Sequence, residues 1–240
     1  MNQTLPICRW SLPEHTSSKS SLGDRLAALR GLTPNELDPR STSLHPPSLL
    51  KDLDLATDRL SKAVESGEKI LVFGDYDVDG ISSTAIAVRG LRHVGANVEW
   101  MLPDRREDGY GIKPPAVDRV FENHHPSVLV TVDNGTTQFD AVEKANELGL
   151  DVIILDHHQP RSHLPKAFAV VNPHRADCPY PFKQLTAASV AFKVVQALCA
   201  LLVTDEFERK RFLASLLDLV ALGTVADVVP IRDENRIMVR

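Results

Sequence analysis

The sequence predicts an α/β protein: a parallel sheet flanked by helices, followed by a helical segment. Three observations carry that expectation. Short apolar runs alternate with helical patterns; the clearest are Ile70-Leu71-Val72-Phe73, Val128-Leu129-Val130-Thr131-Val132 and Val152-Ile153-Ile154-Leu155. These runs are apolar on both faces, as strands buried between helix layers are. Each one ends in an acidic or acid/histidine cluster: Asp75, Asp77 and Asp79 before Gly80, then Asp133-Asn134-Gly135, then Asp156-His157-His158. The carboxyl ends of strands in an open α/β sheet face one crevice, so these groups would crowd together there. Such crowding is costly unless cations occupy it, which points to a metal-dependent enzyme.

The elements follow in order. Residues 1–50 are rich in Ser and Pro and read as an irregular N-terminal arm, with one helix-like pattern at Leu22, Leu26 and Leu29. From Leu49 to Glu65, Leu53, Ala56, Leu60 and Val64 recur at helical spacing. The α/β core is expected over 51–185. Strand 70–73 leads into a helix from Ile81 to Val94, and strand 98–102 into a loop and a helix near 116–123. Strand 128–132 leads into helix 139–148, and after strand 152–155 a short strand is expected at 168–171. Residues 186–240 form the helical extension, with helices over 187–202 and 206–222 and the start of another element at 236–240.

Composition narrows the function. The chain has 240 residues, 43% of them hydrophobic, enough for a sizeable core. A net charge of −5 excludes a generally basic nucleic-acid coat, although bound divalent cations would reverse the local field. Cys8, Cys178 and Cys199 are far apart, which argues against a disulfide framework or structural zinc and for a reducing cytoplasm. No signal layout opens the chain, and no run approaches the roughly 18 apolar residues of a membrane span.

The spelling Asp75-x-Asp77-x-Asp79-Gly80 also opens an EF-hand loop. That loop needs a preceding helix and a Glu at its twelfth position; here a strand precedes and the position is Ile86. A phosphatase with a nucleophilic Asp at a strand end fits the loop but has no use for His157-His158. The bland reading is an acidic turn capping the next helix, for which one Asp suffices. The chain supplies a control for its His pair. His124-His125 precedes a strand, at the opposite sheet edge, and reads as a solvated helix end. His157-His158 follows a strand, on the acidic edge. Imidazole with carboxylate oxygens suits Mn²⁺, Fe²⁺ or Zn²⁺, with Mg²⁺ if oxygens dominate. Asp133 is placed to bridge two ions, or else to cap the next helix, and Asp156 to hold an imidazole N–H. Arg105 and Arg106 are candidates for backbone phosphates or for salt bridges with Asp104, Glu107 or Asp108, and Tyr110 for stacking on a base.

Asp156-His157-His158 and the segment Val72 to Gly80 resemble the motifs of the DHH phosphoesterases. Leu102 to Gly111, Val132 to Gly135 and Ala221 to Pro230 are similar to motifs of the RecJ-type exonucleases within them. The resemblance runs from about residue 20 to the end. It implies a 5′→3′ exonuclease on single-stranded DNA in recombination and repair, using two Mn²⁺ or Mg²⁺ ions. It further implies metal ligation by Asp77, Asp79, Asp133, His157 and Asp227, with Asp133 bridging. His158 is implied as a catalytic group that contacts the scissile phosphate or a metal, and Asp75 as a catalytic carboxylate that is either a metal ligand or an outer group. Partners implied are a single-strand-binding protein and a RecQ-type helicase. Alternatives are a DHH enzyme for small phosphate substrates and a non-catalytic DHH scaffold. The sequence departs from the pattern at Phe73, where some relatives have His, and at Thr186 to Val190, where a Gly-rich turn is usual. Relatives continue into DHHA1-type and OB-like domains, so this chain is expected to be the first part of a longer protein.

Overall fold

The computed structural model describes residues 21–32 and 44–240. The predicted arm therefore lies largely outside the described residues. Its helical pattern is helix α1 (Leu22–Leu29), closed at its start by a reciprocal cap between Ser21 and Asp24. A single 3-10 turn at Pro47–Leu49 leads to α2 (Leu53–Glu65). The core then alternates: β1 (Lys69–Phe73), α3 (Val78–His93), β2 (Asn97–Met101), α4 (Pro114–His124), β3 (Val128–Val132), α5 (Phe139–Glu147), β4 (Asp151–Leu155) and β5 (Ala169–Val171). Four helices close the chain: α6 (Ala187–Leu202), α7 (Glu206–Ala214), α8 (Leu217–Ala226) and α9 (Asp233–Val239).

The five strands form one parallel sheet in the order β2-β1-β3-β4-β5. Both faces are dry, as the apolar runs require. Ile70, Val72, Val130, Ile153 and Leu155 pack with α2, α3 and α6, while Leu71, Phe73, Leu129, Val152 and Ile154 pack with α4 and α5. The helical extension is part of the first of these cores, through Ala188, Val194, Leu198 and Val220. Phe73 is fully buried beneath the sheet's other face.

Three expectations need correction. The helix after β1 begins at Val78, three residues early, because Asp77 caps it by accepting from the Gly80 amide at 2.8 Å. Asp79 therefore sits in a helical first turn and not in a loop. The long helix expected over 206–222 is two helices. The break falls at Ser215, whose hydroxyl donates to the Phe212 carbonyl at 2.7 Å, competing with the helical ladder. The His124-His125 helix end is only partly solvated: His125 is exposed at the cap, while the His124 ring is half-buried and paired with Glu99 on β2.

A buried polar cluster fastens α9. Lys193 Nζ lies 2.6 Å from Glu234 Oε1, with both side chains fully buried. The same ammonium donates to the His45 carbonyl at 2.7 Å, and Glu234 also accepts from the His45 amide and the Tyr180 hydroxyl. Asn235, equally buried, donates to the carbonyls of Gln184 and Pro230. Removing one member of such a pair strands the other charge. Lys193→Met is thus expected to lower unfolding free energy by about 3–5 kcal/mol in urea titrations. A loss below roughly 1 kcal/mol would show that the pair does not hold the helix.

Candidate metal centre

The strand order reverses at β1 and β3: the chain leaves β1 for β2 on one side and builds β3, β4 and β5 on the other. The crevice at such a switch point is where open α/β sheets bind ligands. The first acidic segment, Asp133 and the Asp156-His157-His158 triplet all lie at this edge, after β1, β3 and β4. Asp227, at the C-terminal end of α8, comes in from the helical extension.

The geometry converges on His157. Its Nε2 lies 3.2 Å from Asp133 Oδ1, 3.7 Å from Asp79 Oδ2 and 3.9 Å from Asp227 Oδ2. Two sets of three ligating groups result, Asp133–His157–His158 and Asp79–His157–Asp227, each spanning no more than 4.8 Å. Backbone donors hold most of these acids. Asp79, 2% exposed, accepts from the first amides of α6, Ala187 at 2.7 Å and Ala188 at 3.0 Å. The Thr186-Ala187-Ala188-Ser189 start of that helix, without any glycine, thus points its positive end at a carboxylate. Gly223 of α8 lies so close that a Cβ there would come within 2.4 Å of Asp79 Oδ1. Asp156, fully enclosed, accepts from the amides of Thr136, His157 and His158 and from His158 Nδ1 at 2.7 Å. Burial opposes its charge, but the His158 and Thr136 hydrogen bonds outweigh that and hold it below the usual carboxylate range.

Asp133 is the exception. It adopts a left-handed backbone, φ 61°, an uncommon state for a residue with a side chain. Its Oδ1 is buried without a hydrogen-bond partner. Burial, followed by the charges of Asp79, Asp77 and Asp156, pushes its proton affinity strongly upward. Asp79 is pushed upward as well, chiefly by burial. Asp133 is not the cap of the next helix, which starts after Gln138.

The other predicted residues are placed as follows. Asp77 is exposed, outside both three-residue sets, and caps α3. Asp75 is fully buried and accepts from the amides of Tyr76 and Gly111, tying the loop before α4 to β1. Burial raises its proton affinity too. His158 is on the rim; burial opposes its charge, but the bond to Asp156 raises its proton affinity overall. Tyr110, expected as a stacking side chain, turns its hydroxyl inward, donating to the Asp133 carbonyl at 3.3 Å and touching the His158 ring nitrogens at 3.1 and 3.2 Å. Arg105 and Arg106 are exposed, and neither forms a salt bridge among the described residues. Two of the acids weighed as their partners are engaged elsewhere: Asp104 accepts from backbone amides and Asp108 pairs with Arg119 at 2.6 Å. Arg105 lies over the Tyr76 ring at 5.2 Å.

Sequence reasoning missed Asn172 and His174. Asn172 Nδ2 donates to the His158 carbonyl at 2.9 Å and to Thr136 Oγ1 at 3.0 Å, and His174 Nδ1 meets the His157 carbonyl. Together they clip the triplet's backbone. Both follow β5, so the strand-end argument applied to the short fifth strand would have found them.

A carboxyl group whose folded-state affinity for protons is raised withdraws stability once pH rises above its unfolded value, roughly 3.9. The metal-free chain is therefore penalised at neutral pH by Asp79 and Asp133, whose carboxyls resist in the fold the ionisation that is free in the unfolded chain. Asp133→Asn is expected to stabilise EDTA-treated protein at pH 8 by on the order of 1–2 kcal/mol, with the gain vanishing below about pH 4. Thermal melts across pH read this out, and an equal or lower melting temperature at pH 8 would contradict it.

Comparison with known proteins agrees with this geometry. The DHH family, N-terminal domain, matches residues 69–224. The single-stranded-DNA-specific exonuclease RecJ of Escherichia coli (strain K12) is 42% identical over 221 residues, which cover 89% of this chain and 38% of that protein. The RecJ of Bacillus subtilis (strain 168) is 41% identical over 202 residues, covering 84% of this chain and 24% of that protein. The chain thus spans well under half the length of these relatives. A crystal structure of exonuclease RecJ bound to manganese superposes with a TM-score of 0.70 at 37% identity, covering 79% of this chain and 46% of that one. RecJ from Thermus thermophilus in complex with Mn²⁺ gives 0.71 at 34%, covering 88% and 29%. A parallel sheet with its acids at the switch point, a histidine pair clipped at the fourth strand and a family match over most of the chain lead to one conclusion: the chain belongs to the DHH family.

Proposed function

We propose that this chain carries the two-ion catalytic centre of an enzyme that hydrolyses single-stranded DNA from its 5′ end, with Mn²⁺ or Mg²⁺. The observation that carries the reading is Asp133 Oδ1, a buried carboxylate oxygen with no hydrogen-bond partner, in one of two three-residue ligand sets that share His157. The donor set of carboxylates and imidazole fits these ions. The relatives' names supply the substrate class, and RecJ structures with Mn²⁺ and Mg²⁺ supply the metals.

The roles follow from chemistry. A neutral imidazole nitrogen has one lone pair and serves one ion, whereas a carboxylate can serve two, so Asp133 would be the shared ligand and His157 a terminal one. Asp79 and Asp227 would hold an ion together with His157, and Asp77, which caps α3, would join as a ligand from the rim. Such ions activate a water and stabilise charge on the phosphate. His158, tied to Asp156 through Nδ1 and drawn toward the protonated state, faces the phosphate. Tyr110 orients it. Asp75 holds the loop that carries Tyr110, and the unpaired Arg105 and Arg106 take backbone phosphates. The functional division is a 1–50 arm, a 51–185 core and a 186–240 extension that delivers Asp227. A single-strand-binding protein and a RecQ-type helicase are the partners to test by pull-down.

The test is hydrolysis of 5′-labelled single-stranded DNA, duplex DNA and a dinucleotide with Mn²⁺. Release of labelled mononucleotide from the single strand, abolished by EDTA, is expected, with Asp133→Ala lowering the rate at least roughly 100-fold. Activity on the dinucleotide alone would instead identify a small-substrate phosphoesterase, and failure to bind Mn²⁺ a scaffold.

A further inference from the structure

A second site adjoins the metal centre. A cavity of about 380 Å³ opens at the start of α5. Its walls are the continuations of three loops that carry site residues: Lys113 follows Tyr110, Gln138 and Phe139 follow Asp133, and Arg161 and His163 follow His158. Phe139 is half-buried. The His163 ring lies against it at 4.7 Å between centroids, and the Arg161 guanidinium stands 5.5 Å from the ring centre. Arg161 is exposed and makes no hydrogen bond or ion pair to any other described residue. Lys113 bonds only the Asp108 carbonyl, leaving ammonium hydrogens for a ligand. Asp140 is the only acid on the wall. The Gln138 side chain is spent on the amides of Gly135 and Thr137, which fixes the floor.

The composition is that of a nucleotide subsite. A half-buried aromatic ring offers a face to a base, and the two cations beside it suit a phosphodiester. The metal centre alone presents a surplus of negative groups, so a strand reaching it gains from cationic contacts one nucleotide away. We infer that the cavity walled by Lys113, Phe139, Arg161 and His163 holds the nucleotide flanking the one at the metal centre, its base on Phe139 and its phosphate between Arg161 and Lys113. This rests on the single-stranded-DNA reading above and adds where the strand runs: toward the α4–α5 side of the sheet.

The test is binding of a fluorescent single-stranded oligonucleotide to the chain by anisotropy, with Ca²⁺ filling the carboxylate site. Phe139→Ala is expected to weaken binding about 5- to 100-fold, the range of one lost base stack. Arg161→Ala should reduce the slope of log affinity against log salt by about 0.7, one phosphate contact. Mn²⁺ affinity by calorimetry and melting temperature should match the parent chain in both variants, which separates loss of a subsite from misfolding. Parent-like oligonucleotide affinity in Phe139→Ala together with an unchanged salt slope in Arg161→Ala would overturn the inference. An inert parent chain that still binds DNA through these residues would sink the exonuclease reading and leave the subsite standing.

Discussion

The centre is organised by electrostatic repulsion that the protein does not relieve from its own resources. Asp79 and Asp133 are buried within reach of one imidazole, with Asp227 beside them. Around this cluster backbone amides are aimed at carboxylates: α6 donates two to Asp79, the Thr136 turn and the His pair donate three to Asp156, and Gly111 and Tyr76 donate to Asp75. Each amide reduces the cost of a buried charge without neutralising it. Asp133 receives no such help at Oδ1, and that deficit is what a cation would remove.

Much of the fold serves that arrangement. A parallel sheet places strand ends together, but the carboxylates converge only because helices press close at particular glycines. At Gly80 a Cβ would stand 2.7 Å from the Asp75 backbone, so the chain can double back after β1 only without one. At Gly223 a side chain would displace Asp79 itself, so α8 approaches closely enough to present Asp227. The α8–α9 segment is in turn held by Glu234 and Asn235, far from the chemistry but continuous with the Asp227 turn. Ligand geometry and the buried cluster under α9 are thus coupled through one short stretch of chain.

The sheet, most helices and the chemistry-bearing residues were legible because they depend on local patterns: apolar runs of strand length, 3.6-residue periodicity and acids at strand ends. What was not legible depends on partners distant in sequence. Asp79 looked like a loop residue because nothing local reveals that Asp77 caps a helix across it. The start of α6 looked irregular for want of glycine, yet its amides are ordered by a carboxylate more than 100 positions away. Ser215 broke a helix whose periodicity was intact, through a hydroxyl bond that apolar patterning does not register. Tyr110 read as a stacking ring, while its hydroxyl found the Asp133 carbonyl and His158. Asn172 escaped notice because it follows the expected short strand without an acid or a histidine pair to mark it, and its partners, Thr136 and His158, lie on other strand ends.

The two adjacent histidines show how identical residue types acquire different work. His157 directs Nε2 into the acids and is fixed through its carbonyl by His174, leaving the ring free to ligate. His158 has its ring tied at Nδ1 to a carboxylate whose charge is secured by amides, and its carbonyl is held by Asn172. A ligand must be neutral, whereas a group facing a phosphate is more useful charged. Asp156 marks the difference: its carboxylate hydrogen-bonds the His158 ring at Nδ1 and raises that ring's proton affinity, while from His157 it accepts only the backbone amide. The acidic residue that begins the triplet therefore gives the two histidines different surroundings, one ring held by a carboxylate and the other turned into the acids.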